Sequence, residues 1–359
     1  MVVLIDFPAL MNEYWLHAML LFIFYFIVCG ILVLKYALKT RNNAEKQDHP
    51  EYFKNEVLIA LLLFFNAAIY PFLFNNIVPE PNLTRQIYFF VGLEALINLI
   101  VWIILIPLWK FENFIFWKYI VKKPHRTYES WKEKIRKNWN DSGLRDFIRK
   151  LIHFAYIFLV LFFWYQFEDN PLGGGWTSAS SAVYYQANVL YGFTIVMVLF
   201  DILRLTHWKV FGAFARIWAE SCIKPSELDT FNSASPMLLT ILPFIYFGHD
   251  IFYCVILIAS VSDAMASIIG KNFGKKKVRN NKTRAGFIAG AVSTYIIVIL
   301  IDVLSPFPGI STLEVHVMAA ITAIGFCLVD MFVEDLTDNF ANPLVCGLIL
   351  VLTNFIFTL

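Results

Sequence analysis

Long apolar stretches separated by short polar ones run the length of the chain. At 1.5 Å of rise per residue, about 20 apolar residues cross the hydrocarbon core of a bilayer. Stretches of that kind recur at 15–38, 56–76, 87–108, 150–167, 184–203, 250–269, 285–304, 314–333 and 341–359. A shorter one, 237–247, contains Pro243 and is expected as a broken or tilted helix held inside a bundle. The pattern predicts an all-α, polytopic transmembrane helix bundle of about ten spans. No repeat of solenoid period and no inverted repeat stands out.

Composition agrees: 59% of the residues are hydrophobic and 16% charged, with a mean hydropathy of +0.63. A soluble domain carries about a quarter charged residues, so that class is excluded. The five cysteines (29, 222, 254, 327 and 346) show neither paired spacing nor a metal-ligand pattern, and are expected to be reduced. Asp6 and Glu13 precede the first apolar run where a cleaved signal would carry positive charge, so that run is expected to be a retained span.

The net charge of +2 matters less than its placement. Lys and Arg favour the cytosolic side of short loops. Basic residues gather in 39–55, 109–150, 204–235 and 271–284, whereas 168–183 and 305–313 have none and 77–86 has Arg85 alone. If 237–247 crosses, this alternation puts both termini outside. It also divides the chain into a three-span extension (1–108), a cytosolic basic linker (109–148) and a membrane domain (149–359). The linker mixes Trp109, Trp117, Trp131 and Trp139 with cations. An amphipathic helix on an anionic leaflet and a plain positive-inside loop are both compatible with it.

Four segments carry candidate chemistry. In the first, Asp263 lies inside an apolar helix among Ala264, Ala266, Ser267 and Gly270, which permit close helix packing. A loop follows with Lys271, Gly274, Lys275, Lys276, Lys277, Lys282 and Thr283. Glycines let backbone amides approach phosphate oxygens, lysines neutralise them, and a carboxylate holds Mg²⁺. The spacing is not that of a Walker A loop, since Lys276 follows Gly274-Lys275 where Ser or Thr would stand. The plainer reading is a topogenic basic loop after a span.

The second segment carries Asp330, Glu334, Asp335, Asp338, Asn339, Asn342 and Pro343. Asp330, Glu334 and Asp338, four residues apart, share one face of a helix, where like charges repel unless a cation offsets them. A solvated acidic turn is the alternative. The third segment is Arg149-Lys150-Leu-Ile-His153, whose cations can snorkel to lipid phosphates and whose histidine can be structural. In the fourth, Asp201 and Arg204 can pair at i,i+3, with Arg216, Glu220 and Glu227 following. All four fall on the side that the basic loops make cytosolic.

At these residues the sequence resembles the CTP-dependent lipid-alcohol kinase family, which includes dolichol kinase, phytol kinase and the CTP-using diacylglycerol kinase. Arg149-Lys150-x-x-His153 resembles its first motif. Leu203-Arg204 and Glu220 resemble its middle positions. Ser262-Asp263-Ala-x-Ala-x-x-x-Gly270-Lys-x-x-Gly274 with Lys282-Thr283-x-x-Gly286 resembles its central signature. Glu334 and Asp338-Asn339-x-x-x-Pro343 resemble its closing motif. The likeness covers about 145–345. Asp201 stands where several relatives have Glu, and Thr337 where relatives often have the first of two acids.

The resemblance implies transfer of the γ-phosphoryl group of CTP, with Mg²⁺, to the hydroxyl of a membrane lipid such as dolichol, phytol, geranylgeraniol or diacylglycerol. It implies metal ligation by Asp263, Glu334, Asp338 and Asn339, and nucleotide binding by Arg204, Gly270, Lys271, Gly274, Lys275, Lys282 and Thr283. It also implies a catalytic set of Asp263 with Arg149, Lys150 and His153, the last three orienting the acceptor or the γ-phosphate. The expected location is the endoplasmic reticulum membrane in a eukaryote or the cell membrane in a prokaryote, with a cytosolic active site and no nucleic-acid partner. Two other readings are a CTP:lipid-phosphate cytidylyltransferase releasing pyrophosphate and an ion-coupled transporter using the membrane carboxylates.

Overall fold

The computed structural model describes residues 13–72, 104, 106–111, 114–115, 127–138, 179–212, 215–216, 219–220, 223–278, 282–333 and 338–359. Residues 13–19, 44–45, 138, 179–188 and 338 are described in backbone only. Among the described residues the fold is all-helical, the single β-bridge being Lys277 with Thr283. Seven helices are long and apolar enough to cross a membrane: Leu20–Thr40, Pro50–Ile69, Val189–Thr206, His249–Phe273, Arg284–Leu304, Thr312–Phe332 and Asn339–Phe357. They match seven of the expected spans. Of the others, 150–167 lies outside the described residues and 87–108 largely so.

The chain forms two compact units, one drawn from 1–149 and 171–235, the other from 150–170 and 236–359. In the first unit, α1 (Glu13–Thr40) packs against α3 (Pro50–Ile69) and α5 (Ala179–Thr206), and α2 (Ala44–Asp48) makes the turn between α1 and α3. Helix α3 starts six residues before the apolar stretch. Pro50 suits a first turn, where its missing N–H is not needed. The polar residue Glu56 is fully buried and paired with Lys46.

Helix α4 (Tyr128–Asn138) falls within the basic linker, and its apolar face is covered by protein. Trp131 and Ile135 are buried with Trp109, Phe200, Trp208 and Phe211 in one cluster. Trp131 and Trp208 lie 4.7 Å apart between ring centroids.

Helix α6 (Ala234–Ile241), which leads into the 236–359 part of the second unit, is continued by a 3-10 turn, Leu242–Phe247. Summing the rises of the two forms gives about 24 Å, short of the roughly 30 Å core. Gly248, at φ 121°, then turns the chain into α7 (His249–Leu257). A π segment, Ile258–Ser262, joins α7 without a break to α8 (Asp263–Phe273). Helices α9 (Arg284–Leu304), α10 (Thr312–Phe332) and α11 (Asp338–Phe357) follow, and α8, α9, α10 and α11 pack each against the next.

The packing is sided as membrane helices require. On α9, Phe287, Gly290, Thr294, Ile297, Val298 and Ile301 are buried, while Ile288, Val292, Ile296 and Leu300 are exposed at every fourth position. Helix α10 exposes Leu313, Val317, Ile321, Ile324 and Leu328. In water each such side chain would forgo about 1.5–3 kcal/mol of burial; in lipid the stripe costs nothing.

Candidate functional site

In the second unit the sequence motifs around Asp263 converge at one end of the α8–α9 pair. Thr283 is the N-cap of α9, its hydroxyl oxygen accepting from the Gly286 amide at 3.2 Å. The same hydroxyl donates to the Gly270 carbonyl on α8, also at 3.2 Å. One side chain therefore caps one helix and ties it to its neighbour.

The closeness of that junction explains two glycines. A Cβ on Gly274 would land on the Gly270 carbonyl and the Thr283 hydroxyl, and one on Gly286 would sit 2.7 Å from the Ala266 carbonyl. The loop between the helices folds back on itself, with Val278 N–H donating to the Lys282 carbonyl (2.9 Å) and Arg284 N–H to the Lys276 carbonyl (3.1 Å). The amides of Arg284 and Gly286 at the start of α9 thus serve the loop and the cap.

Lys271, Lys275, Lys276 and Lys277 are exposed around this junction. Lys282 is paired with Asp330, its ammonium 2.5 Å from a carboxylate oxygen. Asp330 is buried near the end of α10. Asp263, half-buried, lies two turns along α8 from Gly270, about 10 Å at helical rise. The preceding π segment is fastened by Ser262, whose hydroxyl accepts from Thr294 on α9 at 2.9 Å. π segments are rare and concentrate at functional positions.

At the start of α11, Asn339 is half-buried, and Pro343 brings no amide hydrogen to the Asn339 carbonyl four residues earlier. Among the described residues no three His, Cys, Asp or Glu side chains come together to hold a metal ion. Glu334, Arg149, Lys150 and His153 lie outside the described residues, and Asp338 is described in backbone only.

The first unit holds Arg204, expected from the sequence as an i,i+3 partner of Asp201 and, by the family resemblance, as a nucleotide-binding residue, in a different setting. Arg204 and Asp201 are fully buried on α5. The guanidinium donates from Nε to Asp201 Oδ1 (2.9 Å), from Nη1 to the Tyr128 hydroxyl (2.6 Å) and the Leu228 carbonyl (3.1 Å), and from Nη2 to the Thr230 carbonyl (2.6 Å). Asp201 Oδ2 accepts from the Asn232 amide at 2.9 Å. The Tyr128 hydroxyl donates to the Leu228 carbonyl. Burial pushes the Tyr128 phenol up to about 12, which keeps it a donor.

The loop that Arg204 grips is held from other sides as well. Glu227 accepts from the Lys224 and Ser233 amides, both at 3.0 Å. Asp229 accepts from Lys132 at 2.5 Å and Arg136 at 2.9 Å, both on α4. Lys134 on the same helix meets Glu220 at 2.8 Å. These partners, 80 to 100 residues apart in sequence, carry no short-range signal. The acids of 220–229 and the bases of 132–136 were visible as charges, and their pairing was not. Comparison with family models, with characterised proteins and with solved structures finds no match, so what the fold itself establishes is a polytopic, all-helical membrane protein.

Proposed function

We propose that the protein transfers the γ-phosphoryl group of CTP to the hydroxyl of a membrane lipid alcohol at the cytosolic face. The observation that carries this reading is the junction of Thr283 with Gly270: it holds a lysine-bearing loop at the end of the helix that contains Asp263. A soluble polyphosphate and a bilayer-bound hydroxyl need a site of that kind, cationic at the membrane edge with an acidic group below it.

In this scheme Lys271 and Lys275 reach the phosphates from exposed positions, and Gly270 and Gly274 keep side chains out of their path. Thr283 shapes the loop, since its hydrogen goes to Gly270. Arg149, Lys150 and His153 orient the acceptor. Asp263 and Asn339, with Glu334 and Asp338, are hard oxygen donors of the kind that suits Mg²⁺. That ion, when bound with the nucleotide, supplies neutralisation of phosphate charge. Positioning and electrostatic stabilisation supply most of the rate in such a transfer. Arg204, with its donors engaged by Asp201, Tyr128 and the 228–230 backbone, holds protein rather than nucleotide.

The test is incubation of membranes containing the protein with γ-labelled CTP or ATP and, separately, dolichol, phytol, geranylgeraniol or diacylglycerol. The expected result is label from CTP in one lipid phosphate. Labelled pyrophosphate with a CDP-lipid would replace the reading with a cytidylyltransferase, and no transfer from any mixture would discard both.

A further inference from the structure

The loop between α8 and α9 is already closed by its two backbone hydrogen bonds and by Thr283. The Lys282–Asp330 pair therefore adds something else: it fixes where one ammonium group sits. The pair is asymmetric. Asp330 has 3% of its side chain exposed and belongs to the last turn of α10, whereas Lys282 keeps 34%. A carboxylate near a helix C-terminus meets the negative end of the helix dipole and is disfavoured there unless a cation offsets it. Lys282 is such a cation, and about a third of its side chain stays exposed. An ammonium has three donors, so it can hold Asp330 and an incoming anion at once.

We infer that Asp330 is a positioning residue for Lys282, holding its ammonium ready for a phosphate of a nucleoside triphosphate. The inference rests on the function proposed above in its choice of ligand. It adds that the acid from α10 acts through Lys282 and not as a metal ligand.

The first arm of the test needs no turnover. The full chain in lipid–detergent micelles is acetylated briefly with an amine-reactive ester, with and without Mg²⁺ and CTP, and modification of Lys282 is read by mass spectrometry. In the native protein CTP slows acetylation of Lys282 severalfold. Asp330→Asn raises its reactivity without CTP and removes the protection, and Asp330→Glu restores part of it. Equal protection in the native protein and in Asp330→Asn overturns the inference, as does a native Lys282 that CTP does not protect.

The second arm is kinetic. In the transfer assay Asp330→Asn raises KM for CTP about tenfold, the scale of one charge-assisted hydrogen bond, and changes kcat much less. In a Lys282→Gln background the same substitution adds nothing further. An unchanged KM for CTP in an active Asp330→Asn protein defeats the inference and leaves the kinase reading intact. Protection of Lys282 by CTP in a native protein that transfers no phosphate defeats the kinase reading alone. Thermal unfolding checks that each variant is folded, and Asp330→Glu, compared with the native protein, decides if Asp330→Asn is not.

Discussion

The Thr283 hydroxyl gives its hydrogen to the Gly270 carbonyl and takes one from the Gly286 amide, both at 3.2 Å, so two helices share one oxygen atom. Replacing Thr283 by Ala removes the cap and the tie together. Loss of an N-cap alone costs about 1 kcal/mol. Thr283→Ala should lower the unfolding temperature of the purified protein and abolish most CTP-dependent transfer, whereas Thr283→Ser should stay near the native protein in both. Gly274→Ala should behave worse than Thr283→Ala, because its methyl group meets the same hydroxyl and a backbone carbonyl that cannot swing away.

The pair of Asp201 and Arg204 makes a second prediction. Removing one partner of a buried ion pair costs about 3–5 kcal/mol, because the other charge is left without its counterpart. Arg204→Met should fall in that range when unfolding is followed in detergent. In a simple pair, replacing both residues by apolar ones recovers most of the loss. Here the double variant Asp201→Leu with Arg204→Met should remain clearly destabilised. It removes the charges but also takes the Arg204 donor from the Thr230 carbonyl and the Asp201 acceptor from the Asn232 amide. Full recovery in the double variant would show that the loop does not depend on the pair.

Asp201 also shows where sequence reading stopped. The apolar runs made the helices legible, because bilayer thickness sets their length and no distant contact is needed to see them. The central motif was legible too: Gly270, Gly274, Thr283 and Gly286 are close in sequence, and the structure brings them into one junction. Arg204 looked like a weak i,i+3 pair because most of its bonds go to backbone carbonyls at 228 and 230 and to Tyr128, which have no recognisable side-chain pattern. The basic helix α4 was ambiguous for a related reason. Its apolar face suits a leaflet or a protein surface equally well, and only the buried partners Trp208 and Phe211 decide. Lys282 was grouped with the phosphate-binding lysines, and the finding that Asp330 holds it needed a contact 48 residues away.

The two cations that meet Asp229 should differ sharply. Lys132 keeps 4% of its side chain exposed and Arg136 keeps 47%. Exposed ion pairs contribute about 0–1 kcal/mol, and salt screens them. Arg136→Ala should therefore be nearly silent in thermal unfolding, and any effect should vanish at high ionic strength. Lys132→Ala removes the buried cation that meets Asp229 and opens a gap beside the Tyr128 ring, so its loss should be larger and should persist in salt. Equal effects would mean that α4 is held by its apolar face, with charge contributing little.

Tyr128 links stability to alkaline pH. Its phenol sits at about 12 in the folded protein, raised by burial, against about 10 in an unfolded chain. Between those values the folded state binds the proton more tightly, so unfolding releases it. Stability from this group is complete below pH 10 and is lost as pH rises toward 12. Above that, an ionised Tyr128 cannot donate to the Leu228 carbonyl. The alkaline limb of an unfolding profile should be steeper for the native protein than for Tyr128→Phe, which lacks the group, while Tyr128→Phe should be less stable throughout the neutral range. Parallel profiles would remove Tyr128 from the account of alkaline unfolding.

Asp263 separates function from fold most directly. It stands at the first position after the π segment, half-buried, with the seam between α8 and α9 fastened above it by Thr283 and below it by Ser262 and Thr294. Asn keeps the shape of Asp and one of its acceptor oxygens. Asp263→Asn should therefore insert into membranes, elute as the native protein does on size exclusion, and unfold at a temperature close to native. It should also lose phosphoryl transfer by at least about a hundredfold, as removal of a charged group acting on the transition state commonly does. Retained activity would take Asp263 out of the chemistry, while a collapsed, inactive variant would assign the carboxylate to the fold. In that case the lysine loop would have to carry the reaction with the acids of 334–339 alone.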